Sequence, residues 1–154
     1  MKLHIVAVGK PPAGPVRDAI GEYERRAGRY WPLVVNEVRA EPARSRQPAE
    51  VRRLEGERLL ARSEGVLVAL DERGRAMPTD LFARWLSDRR DGAEDVSFMI
   101  GGALGLDVAV RDSARLVLSL SAWTLPHDLA RLLLAEQLYR AGTILRGEPY
   151  HKAG

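Results

Sequence analysis

Short apolar runs alternate along this chain with segments whose apolar positions recur every three or four residues. Leu3 to Val8, Leu33 to Val38, Val66 to Leu70, Val96 to Ile100 and Leu116 to Leu120 have the length and β-branched content of strands. The third and fourth are apolar throughout, as expected for strands covered on both faces. Between them the spacing predicts helices over Pro15 to Ala27, Ala49 to Ser63, Thr79 to about Arg89, Asp107 to Ala114 and Asp128 to Ile144. Pro15 is tolerated in a first turn. Val51, Leu54, Leu59 and Leu60 share one side of the second helix. Thr79 is expected to cap the third, with Leu81, Phe82, Trp85 and Leu86 inward. Asp71-Glu-Arg-Gly74 reads as a turn, and Arg39 to Pro48 as a basic loop. Strands alternating with helices imply an α/β fold: a mainly parallel sheet flanked by helices, in one domain spanning residues 1–154.

The last helix is unusual. Leu129, Leu132, Leu133, Leu134, Leu138, Ile144 and Leu145 leave it almost no polar face. A helix apolar nearly all round must be covered nearly all round. A second copy of the chain is the expected cover, giving a two-fold homodimer.

Composition narrows the chemistry. The 154 residues include no cysteine, which excludes disulfides, thiolate metal sites and cysteine nucleophiles. His4, His127 and His151 are far apart in sequence, so no metal is expected. No apolar run approaches the roughly 18 residues of a membrane span, and Met1 to Gly9 reads as an opening strand; a cytoplasmic protein without a membrane partner is expected. The net charge of +3 permits a nucleic-acid partner without requiring one. Arg39, Arg44, Arg46, Arg52 and Arg53 cluster around the second loop, where Glu50 and Glu55 are natural ion-pair partners.

Two loops follow strand-like runs directly: Ile100-Gly-Gly-Ala-Leu-Gly-Leu106 and the segment after Leu118, Ser119-Leu-Ser-Ala-Trp-Thr-Leu-Pro-His127. In an open parallel sheet such loops gather at the carboxyl ends of the strands, where ligands bind. The glycine spacing fits neither a dinucleotide fingerprint nor a phosphate-binding loop with its Lys-Ser/Thr pair. It offers bare backbone beside which a flat ligand can lie.

Ser97-Phe-Met-Ile-Gly-Gly102, Leu118 to His127, Ala135-Glu-Gln-Leu-Tyr-Arg-Ala141 and Pro149-Tyr-His151, in that order and at this length, resemble the RlmH family of ribosomal RNA large-subunit methyltransferases in the SPOUT superfamily. The resemblance covers the whole chain. It implies a homodimer with a C-terminal trefoil knot. It also implies methyl transfer from S-adenosyl-L-methionine to N3 of a pseudouridine in large-subunit rRNA, on the assembled ribosome. Carried over by position, it places the cofactor against Leu70, then Gly101, Gly102 and Gly105, then Ser121, Ala122, Trp123, Thr124, Leu125 and Pro126. His151 would serve as base or positioning group, Tyr150 would orient the target base, and Arg140 would engage phosphate. For Arg140 the plainer alternative is an ion pair with Glu136 at i,i+4 spacing; for His151 it is a frayed terminus. Ala103 and Leu104 stand where the family pattern has Pro and an acid, and Glu148 where a His is common. The competing expectation from another class is a non-catalytic ribosome-binding or assembly protein on the same fold.

Overall fold

A computed structural model describes residues 1–42, 44 and 46–152. Five strands, β1 (Leu3–Val8), β2 (Leu33–Val38), β3 (Val66–Ala76), β4 (Val96–Ile100) and β5 (Leu116–Ser119), form one sheet in the order β2-β1-β4-β3-β5. Every pairing is parallel. The helices are α1 (Pro15–Ala27), α2 (Pro48–Ala61), α3 (Thr79–Asp91), α4 (Val108–Ser113) and α5 (His127–Leu145). None of them is long and apolar enough to cross a membrane.

The two-residue period of a strand divides the apolar residues between two faces. Leu3, Ile5, Ala7, Val68, Val96, Phe98 and Ile100 pack with Ala27, Phe82, Leu86, Leu134 and Leu138, so α1, α3 and α5 cover this face. Val6, Val8, Ala69 and Met99 turn the other way onto Leu59, Leu106 and Val110 of the α2–α4 side. Strands β1 and β4 are therefore apolar nearly throughout, and β3 is so up to Leu70, as their sequences imply.

Several expectations need correcting. Asp71–Gly74 does not end β3. The strand continues to Ala76, and its pairing with β5 jumps: Leu118 faces Leu70 and then Arg75. The four skipped residues form an irregularity over the carboxyl edge. Thr79 does not cap α3; Pro78 occupies that position, and the Thr79 hydroxyl donates instead to Gln137 Oε1 on α5 at 2.8 Å. Leu81 points outward, 40% exposed, because Phe82, Ala83 and Leu86 already fill the inner stripe of that short helix. The cover of α5 is also largely internal: the sheet, α1 and α3 bury Leu134, Ala135, Leu138 and Ala141. Only Leu129 and Leu133 among its leucines are clearly exposed.

One charged residue of α5 is buried as well. Arg131 donates to Glu24 Oε1 on α1 at 2.7 Å and to Glu37 Oε2 on β2 at 2.8 Å. Burial alone would disfavour its charge, but the two carboxylates outweigh that and raise its pKa. Removing one partner of such a cluster strands the others. Arg131→Ala is expected to lose about 3 kcal/mol of stability, read as a lower urea midpoint with an unchanged slope. A loss within error would mean that Glu24 and Glu37 are solvated well enough to stand alone.

Candidate functional site

At the carboxyl edge of β3, β4 and β5 the chain encloses a cleft of about 1080 Å³. Its walls are the three segments that the parallel sheet delivers to that edge. The first is the irregularity in β3, Leu70 to Arg73. The second is the turn after β4, from Ile100 to Val108. The third runs from Leu120 through Ser121 and Trp123–Pro126 to the first turn of α5.

The glycine turn is shaped by close approach. A Cβ on Gly101 would lie 2.8 Å from the Gly105 carbonyl carbon and 3.0 Å from Leu106 N, so backbone occupies the space a side chain would need. Gly105 has φ +81°, in the left-handed region that favours glycine. Its N–H donates to the Gly102 carbonyl at 3.0 Å, closing the turn. Behind it, Glu55 of α2 is buried and its Oε2 accepts from Glu41 N.

In the third wall the Ser119 hydroxyl donates to Ser121 O at 2.8 Å, and Ser121 Oγ accepts from Trp123 N at 2.9 Å. These local bonds hold a loop that has no ladder partners of its own. They leave the Trp123 ring 81% exposed at the mouth of the cleft. The Thr124 hydroxyl donates to Glu72, tying the third wall to the first.

Of the sequence-derived cofactor residues, Leu70, Gly101, Gly102, Gly105, Ser121, Trp123, Thr124, Leu125 and Pro126 all line this cleft, and Ala122 does not. Asp71, Glu72, Arg73, Arg111 and Arg52 also line it, and none of them was expected there. The first three had the same signal as the glycine turn, a polar segment directly after an apolar strand, but their turn-like composition hid them. Asp71 is the best organised. It accepts from Arg73 N, Nε and Nη2 at 2.9–3.0 Å and from Arg111 Nη1 at 3.2 Å. The Arg73 guanidinium foremost, with Arg111, holds its carboxyl below the ordinary range against the opposing effect of burial.

Arg140, Tyr150 and His151 form a second constellation, and none of them lines the cleft. Arg140 does pair with Glu136, donating through Nε and Nη2 at 2.9 and 2.6 Å. The same carboxylate oxygen accepts from the Tyr150 hydroxyl at 3.1 Å, and the guanidinium lies 4.7 Å from the Tyr150 ring centre. Burial, then hydrogen bonding with Tyr23 and Glu136, raises the Tyr150 pKa, so the phenol stays protonated. His151 is not frayed: its Nδ1 lies 3.3 Å from Arg140 Nη1. Arginine can only donate, so Nδ1 accepts and a neutral ring carries its proton on Nε2. Glu148 accepts from the Tyr30 hydroxyl, so its charge is engaged in anchoring the tail.

The basic loop is mostly neutralised from within. Glu41, itself nearly buried, pairs with Arg58 and Arg46, and Arg46 and Arg53 pair with Glu50 and Glu57. The Arg58 bond, then Arg46 and Arg39, lowers the Glu41 pKa.

A depressed carboxylate pKa stabilises the fold fully above the unfolded value, near 4. That stability is lost as pH falls through the lower native value. Replacing Asp71 with Asn should therefore flatten the acid limb of the stability–pH curve while costing stability at pH 7 through Arg73 and Arg111. An acid limb identical to wild type would remove Asp71 as its source.

The chain matches the predicted SPOUT methyltransferase family over residues 1–151. It is 52% identical over 154 residues to a protein of Gemmatimonas aurantiaca named ribosomal RNA large subunit methyltransferase H, covering 99% of this chain and 100% of that one. A protein of the same name from Rhodospirillum centenum is 46% identical over 156 residues, again with 99% and 100% covered. Among solved structures, a probable methyltransferase from Bordetella pertussis Tohama I shares the fold with a TM-score of 0.53 at 18% identity, over 91% of this chain and 95% of that one. With its all-parallel sheet and edge cleft, this chain belongs to the SPOUT methyltransferase family.

Proposed function

We propose that this protein methylates N3 of a pseudouridine in large-subunit rRNA, using S-adenosyl-L-methionine, as a homodimer acting in the cytoplasm on the assembled ribosome. The observation that carries the reading is the meeting of the glycine turn and the Ser121–Pro126 loop on one cleft. Its residues fit the cofactor. Bare backbone at Gly101 and Gly102 and the apolar Leu70, Leu118 and Leu125 suit a flat adenine, while Ser121 and Thr124 offer polar groups to the sugar. Asp71 and Glu72 stand on the same cleft wall, with Arg73 and Arg111 balancing the Asp71 charge. The bound cofactor would supply an activated methyl group to N3, whose proton passes to solvent.

The tail supplies the other half. Arg140, clamped by Glu136, is fixed for phosphate contact. With Nδ1 turned to Arg140, His151 presents Nε2 to the target base and so positions it. In-line placement of N3 can account for much of the rate.

The two halves lie well apart in one chain. His127 lines the cleft, whereas Arg140 lies 13 residues further along α5, about 20 Å away at 1.5 Å per residue. A second copy supplying the tail resolves this. Trp123, Leu129 and Leu133, exposed around the cleft and the start of α5, give such a copy an apolar landing. The knotted C-terminal path belongs to the same proposal and rests on family membership.

Gly101→Val is expected to abolish cofactor binding by calorimetry, and His151→Ala to retain it with methylation lost. Mixing the two inactive variants should restore roughly a quarter of wild-type activity, because half the dimers are mixed and each has one intact site. A dead mixture would place both halves in one chain. Assembled ribosomal particles should be methylated far better than naked target hairpins. Equal turnover on hairpins would overturn the ribosomal substrate, and cofactor binding without turnover on any RNA would leave the non-catalytic ribosome binder.

A further inference from the structure

His4 lies in β1 and is only 6% exposed, yet neither of its ring nitrogens has a hydrogen-bond partner among the described residues. Leaving buried polar atoms unpaired is costly, so a doubly orphaned imidazole calls for a ligand. It sits at the amino edge of the sheet, opposite the cleft, in register with Ser97.

Two carboxylates approach it. His4 Nε2 is 4.0 Å from Glu64 Oε2, too far for a hydrogen bond. Asp95 precedes β4, and ligand atoms of His4, Glu64 and Asp95 all lie within 4.8 Å of one another. Some point then lies within about 2.8 Å of all three, at most some 0.7 Å beyond the ligand distances of zinc. The Glu64 side chain, 71% exposed, can rotate to close that gap.

The backbone that carries these groups is built tightly. Ser97 Oγ accepts from Glu64 N at 2.8 Å and donates to Glu64 O at 2.7 Å. Asp95 Oδ1 accepts from Lys2 N at 2.7 Å, and Val66 N donates to Asp95 O at the same distance. Between them Gly65 has φ +69°, and a Cβ there would stand 2.1 Å from Asp95 O. Only glycine lets the two carboxylate-bearing segments come this close.

We propose that His4, Glu64 and Asp95 form a site for a divalent cation of the zinc type. A neutral imidazole and two carboxylates balance a double positive charge, and the nitrogen donor favours zinc over magnesium or calcium. The ligands come from β1 and from the residues leading into β3 and β4, so the ion clips together the amino ends of the three central strands. Its role is structural, since the cleft is at the other edge. Sequence spacing of the three histidines argued against a metal because the partners of His4 are carboxylates, 60 and 91 positions away.

Zinc titrated into the metal-free protein, followed by calorimetry, should bind at one ion per chain. At a hundredfold excess over Kd the thermal midpoint should rise by about 5–10 °C. Glu64→Gln, a change at an exposed side chain, should weaken zinc at least about tenfold, and Asp95→Asn likewise, while both keep wild-type affinity for S-adenosyl-L-methionine. His127→Gln, which removes a histidine elsewhere, should bind zinc as wild type does. Absence of one-to-one uptake, or equal affinity in Glu64→Gln, would overturn the site.

Discussion

Phe98 is held between Ile5 and Val68 in a row that crosses the three central strands, and all three side chains are fully buried. Phe82 of α3 meets the Phe98 ring edge-on at 6.1 Å. Val6, Ala69 and Met99 are as deeply buried on the opposite face, and parallel neighbours joined by helical crossovers bury both faces because the returning helices cover them. Once the strands run in one direction, every loop that leaves a carboxyl end arrives at the same edge. The cleft is a consequence of that core.

Chemistry then concentrates where regular structure stops. The Gly101–Gly105 turn can fold back on itself because no side chain fills the space at Gly101. Asp71 can gather Arg73 and Arg111 because β3 slips four residues in its pairing with β5 just there. The opposite edge has its own polar centre in His4, Glu64 and Asp95, held by the same strands at their other ends. Helix α5 spans the two edges. It begins in the cleft wall at His127 and ends in the tyrosine and arginine cluster that secures the tail. Its Arg131, buried between Glu24 and Glu37, ties it to α1 and β2.

Much of this was legible in the chain. Strands β1, β2 and β4 and helix α1 follow directly from runs of apolar residues and from Pro15, since local patterning decides which segments can be buried. The two ligand loops were legible because a glycine cluster or a serine-and-proline segment directly after a buried strand has few other uses. Asp71 to Arg73 carried the same signal, but an acidic, glycine-ended tetrapeptide also makes an ordinary turn, and local composition cannot separate the two. Leu81 and Leu133 look as inward as their neighbours until the packing partners are known.

By itself the sequence determined the alternation of elements, the parallel sheet, the glycine turn and the residues that carry the family resemblance. Those properties depend on periodicity and on residue size at single positions. Tertiary structure alone decided that Arg73 and Arg111 converge on Asp71, that Tyr150 and His151 gather at Arg140 rather than at the cleft, and that His4 faces two distant carboxylates. These are distances between segments brought together by strand register, and register is set by the collective burial of whole strands rather than by any residue's neighbours in the chain.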